Sequence, residues 1–459
     1  MAIVEGRFNR FLDSRNKDGY WPHDAYDSFP AGWYSGMDFS GMGLAALALY
    51  EATGNDKYLA AGNALMDQLI RPVDAHGALH KTDTAKCWLG EFVWPEMSNA
   101  DQNYVLNGFL VSLEALAIYA KAEPDHAAYT DITDCAFNDL KSNISSFFFK
   151  DGSWSYYMLS PHIPNHTRYI IFETNQFDAL YRLTGDAFYK GQAARRRSIF
   201  SKNYQVFSHD GQFLFSELGT PQPYLRDIYQ TRLTFFDRDG GTLADVSSGA
   251  GNTDAVRDSK LFLTGPVPKG TDRVRLDIVN GGSQISMFDA PLAQVSGKTD
   301  PLVLQTGNEA LIGMQKDADG YLVLNPPAQP EPQTQGRLTL DLNHSIDTNI
   351  LNLFTIDAES SEPIYWALGL VDESGRETYR YLPQITKAGH FTVPLSRYGF
   401  QDPETVGSTV KRVVIYLYAN ALTKPIRFKF NGITVWPDYY SFAKNIKKLG
   451  YDHLLVENL

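Results

Sequence analysis

The phrase Tyr50–Gly62, YEATGNDKYLAAG, is echoed at Tyr181–Ala193 as YRLTGDAFYKGQA. In both, a helical run stops at Thr-Gly and an aspartate opens the next run. Glycine tolerates the left-handed backbone that ends a helix, and aspartate or asparagine caps the amide groups at the start of the next one. A chain that repeats a helix–turn–helix unit buries its apolar faces by stacking one hairpin on another. The spacing of apolar residues predicts helices over Ser40–Ala52, Asp56–Leu69, Val105–Tyr119, Tyr129–Phe147 and Phe177–Leu183. Helix pairs joined by short turns commonly build an (α/α) toroid or part of one. Strand–helix alternation is missing from this half, which argues against a parallel sheet.

Between the helices lie loops dense in aromatics: Gly19–Pro22, Ala31–Tyr34, Trp88–Met97 and Gly152–Tyr157. All the tryptophans of the first 160 residues fall on them. Buried, such rings are core. Exposed, they make platforms on which a sugar ring can stack. We expect core packing for about half of them.

After Pro221-Gln222-Pro223 the texture changes to short alternating stretches such as Ile228–Phe236 and Arg273–Val279. A proline-rich stretch at 325–336 is followed by Leu338–Leu342, Ile364–Val371, Phe391–Leu395, Val413–Tyr418 and Ile426–Val435. Period-two alternation over short runs predicts sandwiches. The expected class is therefore multidomain α + β. A helical toroid-like domain over 1–220 precedes jelly-roll-like β-sandwiches over 221–325 and 336–438, the latter a candidate carbohydrate-binding module, with a helix in 439–459.

The 459 residues carry a net charge of −12, which argues against nucleic acid as a partner. No stretch approaches the roughly 18 apolar residues of a membrane span. The start, MAIVEGRFNRFLDSRN, lacks a leader's apolar centre. The compartment is thus extracytoplasmic if a leader was trimmed, otherwise cytoplasmic. Cys87 and Cys135 read as two core thiols rather than a disulfide framework. The run Arg195–Arg197 reads as a solvated helix end. His76, His80, His162 and His166 lack metal-ligand spacing, and there is neither a phosphate loop nor a GxSxG elbow, so neither metal nor cofactor is expected.

The phrases DGYWP, GWYSGMDFSG, EMSNADQNYVLNGF, DGSWSYY and YIIFETNQFDALYRLTGD, between residues 18 and 190, resemble the C-terminal domain of the D-glucuronyl C5-epimerases. In that family the helical domain follows β domains, whereas here it precedes them. The resemblance implies abstraction of a uronate C5 proton on one face of the sugar and return on the other. That chemistry needs an acid, a base and a means of neutralising the carboxylate. Tyrosine and glutamate fill these roles in the family, and a tyrosine base must be activated well below its ordinary pKa of about 10.

Carried over by position, the family's Glu-Tyr pair falls on Glu96 and Met97, so the glutamate is kept and the tyrosine is lost. The hairpin tyrosine falls on Tyr156, with Tyr157 the neighbouring choice, and a further tyrosine falls on Tyr169. The family's following histidines become Ile170 and Glu173, and its arginine is replaced in the vicinity by His162, His166 or Arg168. Trp33, Tyr34, Trp94 and Asn107 complete the expected substrate wall, although Asn107 and Gly108 serve equally well as packing residues.

Three activities fit. Proton transfer at C5 of a polysaccharide uronate, with Tyr156, Tyr169 and Glu96, is the first, and a lyase results if the 4-oxygen leaves. Hydrolysis by a Glu96–Glu173 carboxylate pair, with Glu91 and Asp101 nearby in sequence, is the second. Glycan binding without catalysis is the third. The expected partner is a uronate-containing polysaccharide, and a homodimer is compatible with the sequence.

Overall fold

The computed structural model describes residues 2–25, 29–82, 86–98, 101–165, 167–209, 212–217, 230–247, 262–280, 283–294, 301–326, 335–348, 354–382, 388–395, 400–402, 404–418, 424–436, 445 and 455–457. The chain divides into two compact units, Met1–Arg196 and Arg197–Leu459.

The first unit is helical. Its helices are α1 (Ala2–Asp13), α2 (Gly36–Thr53), α3 (Asp56–Leu69), α4 (Leu106–Ala122), α5 (Ala127–Asn143), α6 (Thr167–Thr184) and α7 (Ala187–Asn203). The repeated turn behaves as its residues require. Gly54 adopts φ 65° and its amide closes on the Tyr50 carbonyl, while the Asn55 side chain caps Lys57. Gly185 repeats the left-handed turn at φ 72°, and Asp186 caps Phe188. Helices α2, α4 and α6 are successive neighbours, with α3 packed on α2 and α5 on α4. Small residues permit close approach: a side chain on Gly62 would strike the Tyr119 ring, and one on Gly43 would strike Met66.

Two expectations fail in this unit. Cys87 and Cys135 are joined in a disulfide, tying the Trp88–Leu89 strand to α5 across 48 residues. Spacing hid the bridge because these segments meet only in the fold. Arg196, expected in a solvated helix end, is fully buried. Its guanidinium lies over Phe148 and Phe177 and donates to Glu173 Oε2 at 2.8 Å.

The second unit is β. Strands begin at Tyr204–His209 and Gln212–Glu217, so the helical part stops before the expected 220. These two strands share a five-stranded sheet with Ala293–Gln294, Phe262–Pro266 and Leu455–Glu457. A terminal helix therefore does not run to the end of 439–459, because Leu455–Glu457 pairs parallel with Phe262–Pro266. Asn445 is helical, and 439–444 and 446–454 lie outside the described residues. A four-stranded sheet orders Thr242–Ser247, Gln230–Phe236, Arg273–Asn280 and Ser283–Pro291.

The third and fourth sheets enclose one apolar core. The strands Leu302–Leu304, Leu322–Leu324, Phe354–Ser360, Gly389–Leu395 and Ile426–Val435 belong to the third sheet. The fourth orders Thr306–Ile312, Gln335–Asp347, Thr409–Tyr418, Tyr365–Asp372 and Glu377–Tyr381. Trp366 of the fourth meets Phe428 of the third with ring centroids 6.1 Å apart. The strands between 302 and 324 pair with this sandwich, so it starts ahead of the proline-rich stretch rather than after it.

Candidate functional site

The aromatic loops of the helical unit divide in two. Trp88 and Trp154 are fully buried, and Trp21 is buried. Trp88 stacks on Phe109 at 4.0 Å, and the Trp154 indole donates to the Asn165 carbonyl. Trp33 and Trp94 stay half-buried. Trp33 belongs to a cluster with Phe29, Phe92, Val105, Tyr157, Met158, Ile163 and Tyr169. In it Phe29 stacks on Phe92 at 4.2 Å, and Trp94 edges Phe29 at 6.3 Å. This apolar wall is drawn from four separate parts of the chain: the 29–33 loop, the Phe92–Val93 strand, Val105 just ahead of α4, and the Tyr156–Pro164 hairpin with the start of α6.

The wall selects between the two hairpin tyrosines. Tyr157 stacks on Tyr169 with ring centroids 5.1 Å apart. Tyr156, one residue earlier, packs instead on Phe149 and the exposed His162. The pairing register of the hairpin shifts between Tyr156 and Met158, and this irregularity lets Tyr157 and Met158 both join the cluster. Of the sequence's two choices, the structure brings Tyr157, not Tyr156, to Tyr169.

Other expected residues separate. Glu96 stands exposed in a turn, and Met97 beside it is buried. Tyr34 is withdrawn from the substrate wall: it is fully buried, stacks on Tyr20 at 4.2 Å and donates to the Gly77 carbonyl. Burial raises its hydroxyl above the ordinary tyrosine range. Glu173 is withdrawn as a catalytic acid. It has no exposed surface, pairs with Arg196 and accepts from Asn165 Nδ2 at 2.8 Å. Burial holds its carboxyl above the usual range despite both partners. With Glu173 sealed, the Glu96–Glu173 pair cannot flank a glycosidic bond. His166 and the Arg168 side chain lie outside the described residues.

Sequence reasoning underrated the ground ahead of α4. Asn107 is buried, its carbonyl accepts from Gln176 Nε2, and its own Oδ1 has no partner. Nearby in sequence, His80, Glu91, Gln102 and Asn103 are also buried with unpartnered polar atoms. Such groups are rare in native proteins, and enclosed water or a functional role is the usual reason. Glu91 abuts the bare Cα of Gly108, whose amide donates to it at the start of α4. Desolvation outweighs that bond, and with the negative charge of Asp38 it pushes the Glu91 carboxyl up to about 8. Burial pushes His80 down to about 4, against the pull of Asp101. Both groups are therefore uncharged at neutral pH. Tyr104 holds φ 52°, a strained value for a residue with a side chain, and its hydroxyl meets Thr82 Oγ1 at 2.8 Å.

At the far edge of the wall, His23 Nε2 lies 2.8 Å from Asp38 Oδ2, and the imidazole stacks on Trp33 at 4.2 Å. Nothing in the repeats or the family-like phrases singled out His23. The signal was available only as its place in DGYWPH beside an aromatic loop. Among the described residues there is no cluster of histidine, cysteine and carboxylate side chains able to hold a metal, and no helix long and apolar enough to cross a membrane.

Residues 16–198 match the family model described as D-glucuronyl C5-epimerase C-terminus, the family their phrases resemble. No curated protein sequence matches the chain. Among solved structures, the chain is similar to a cellobiose 2-epimerase from Spirochaeta thermophila, at 13% identity and TM-score 0.34, over 44% of this chain and 53% of that one. It is also similar to a D-mannose isomerase, at 14% identity and TM-score 0.32, over 44% of this chain and 54% of that one. A third is an α-mannanase from Bacteroides thetaiotaomicron, at 12% identity and TM-score 0.30, over 44% and 55%. The chain spans about half the length of each.

Proposed function

We propose that the helical unit moves the C5 proton of a uronic acid residue within a glycan. The observation that carries this reading is the Tyr157–Tyr169 stack set in one aromatic wall with Trp33 and Phe92, inside the stretch that matches the epimerase family. A tyrosine hydroxyl can deliver or receive a proton at C5, and aromatic faces pack against the C–H face of a pyranose. The neutral Glu91 follows from the same logic. It precedes Phe92 in the chain, and an uncharged carboxyl there spares an anionic sugar the repulsion an ionised one would exert.

The test is incubation with a panel of uronate polysaccharides in deuterated water, followed by proton NMR. Deuterium at C5 is expected. Absorbance from an unsaturated uronate would assign the product to a lyase, and new reducing ends without exchange would overturn the reading.

The sandwich supports glycan binding as a companion role. Alternation puts Tyr365, Tyr379, Tyr381, Tyr416 and Tyr418 on the face of their sheet opposite the core side chains Trp366, Leu368, Ile415 and Leu417. Tyr365 and Tyr381 are more than half exposed, and Tyr381 meets Tyr418 at 5.8 Å. Exposed tyrosines offer an apolar face with a hydroxyl fringe, which suits sugars. Because disulfides persist where thiols are oxidised, the Cys87–Cys135 bridge favours an oxidising compartment.

A further inference from the structure

We propose that His23, oriented by Asp38, takes the C5 proton on the face of the sugar opposite Tyr157 and Tyr169, an assignment that rests on the proton-transfer reading above. Inversion at C5 needs one group on each face of the ring. The two tyrosines cannot supply both. Their centroids are 5.1 Å apart, whereas a ring held between two surfaces at van der Waals contact needs roughly 7 Å. They act from one side, and the opposing group must come from elsewhere on the wall.

The Asp38–His23 pair meets that requirement. Its imidazole stacks on Trp33 with an interplanar angle of 22°, and Trp33 belongs to the same apolar cluster as Tyr157 and Tyr169. The side chain is 38% exposed, open to a ligand, unlike the sealed His80 and Glu173. The backbone around it is pinned. His23 N–H donates to the Trp33 carbonyl at 2.7 Å, and Gly32 N–H donates to the His23 carbonyl at 2.8 Å. Asp38 is held in the first turn of α2, which Ser35 caps. Among the described residues, Glu91 bears on Asp38, and the Trp33 indole is tied to the carbonyl, not the carboxylate, of Asp24.

An aspartate accepting the Nε2 hydrogen leaves the lone pair on Nδ1 and stabilises the imidazolium once a proton arrives. The step balances without a further reactant. The C5–H bond breaks, its proton passes to Nδ1, and its electron pair spreads into the sugar carboxylate. A tyrosine O–H then returns a proton to C5 from the other face. Water re-protonates the tyrosinate and takes the proton from His23, so no net proton is consumed.

The experiment measures C5 deuterium exchange by the full chain against pH, in His23→Gln, His23→Phe and Asp38→Asn. Both His23 variants are expected to lose kcat by about 10²- to 10⁴-fold, with KM changed less than about threefold. Phenylalanine keeps the stacking on Trp33, and glutamine keeps a hydrogen bond to Asp38, so loss in both at unchanged Tm reports the missing base. Asp38→Asn is expected to lower kcat at least about tenfold with KM changed less than about threefold, because the imidazole loses the partner that orients it. Wild-type kcat and pH profile in His23→Phe would overturn the assignment while leaving the C5 reading intact. Absence of exchange in the wild type would overturn that reading, and the assignment with it.

Discussion

Glu91, the residue before Phe92 of the aromatic wall, is buried. Its folded-state pKa of about 8 stands above its value in the unfolded chain, roughly 4.3. The folded protein therefore holds that proton more tightly. The stabilising contribution is complete below about pH 4 and is lost as pH climbs through 8. His80 works in the opposite sense, since its folded pKa is depressed and its contribution is lost as pH falls through about 4. Glu91→Gln, which keeps the shape and removes the charge, is expected to flatten the fall in Tm that runs between about pH 4 and 8, measured by thermal unfolding across that range. Glu173 invites a separate test. Glu173→Gln strands the buried Arg196 guanidinium, and a loss of about 3–5 kcal/mol in urea unfolding is expected. Exchange activity per folded molecule should persist, because Glu173 does not reach the wall. In the sequence, Glu173 looked like a substituted family position and Arg196 like one of three surface arginines. Neither reading could see a partner 23 residues away.

At the scale of elements, the helix hairpins follow from local chemistry: apolar spacing, the Thr-Gly stop and the Asn or Asp cap all agree. The strand between Tyr156 and Leu159 shows where such rules lose resolution. A one-residue shift moves a side chain to the opposite face, so resemblance alone could not separate Tyr156 from Tyr157. The structure separates them through what each packs against. The Cys87–Cys135 bridge is another element-level decision. Closing a loop of 48 residues restricts the unfolded chain by about 4 kcal/mol in the chain-entropy account. Reduction, or Cys87→Ser with Cys135→Ser, is expected to lower stability by up to that amount, measured by denaturant unfolding with and without reductant. An unchanged midpoint would show that the bridge contributes nothing. On the tyrosine face, Tyr365→Ala with Tyr381→Ala should weaken retention on a polysaccharide affinity gel about tenfold, which is about 1.4 kcal/mol. C5 exchange on a short oligosaccharide should be unaffected.

At the scale of the whole molecule, a net charge of −12 opposes an anionic polysaccharide. Screening of that repulsion predicts that KM for a uronate polymer falls as ionic strength rises toward 0.15 M, where the Debye length is about 8 Å. A KM that rises with salt would instead reveal a locally basic cleft. The sequence by itself determined the order of the parts: helical hairpins with their caps and stops, then antiparallel strands, and the family-like stretch between 16 and 198. These depend on residues close in the chain, whose propensities and periodicity act before any long-range contact. Only the tertiary structure decided that strands begin at Tyr204, that Leu455–Glu457 returns to an earlier sheet, and that the two cysteines join. It alone decided which carboxylates are sealed and which tyrosine faces Tyr169. Burial and desolvation depend on what the rest of the chain places against a side chain, and local sequence does not carry that information.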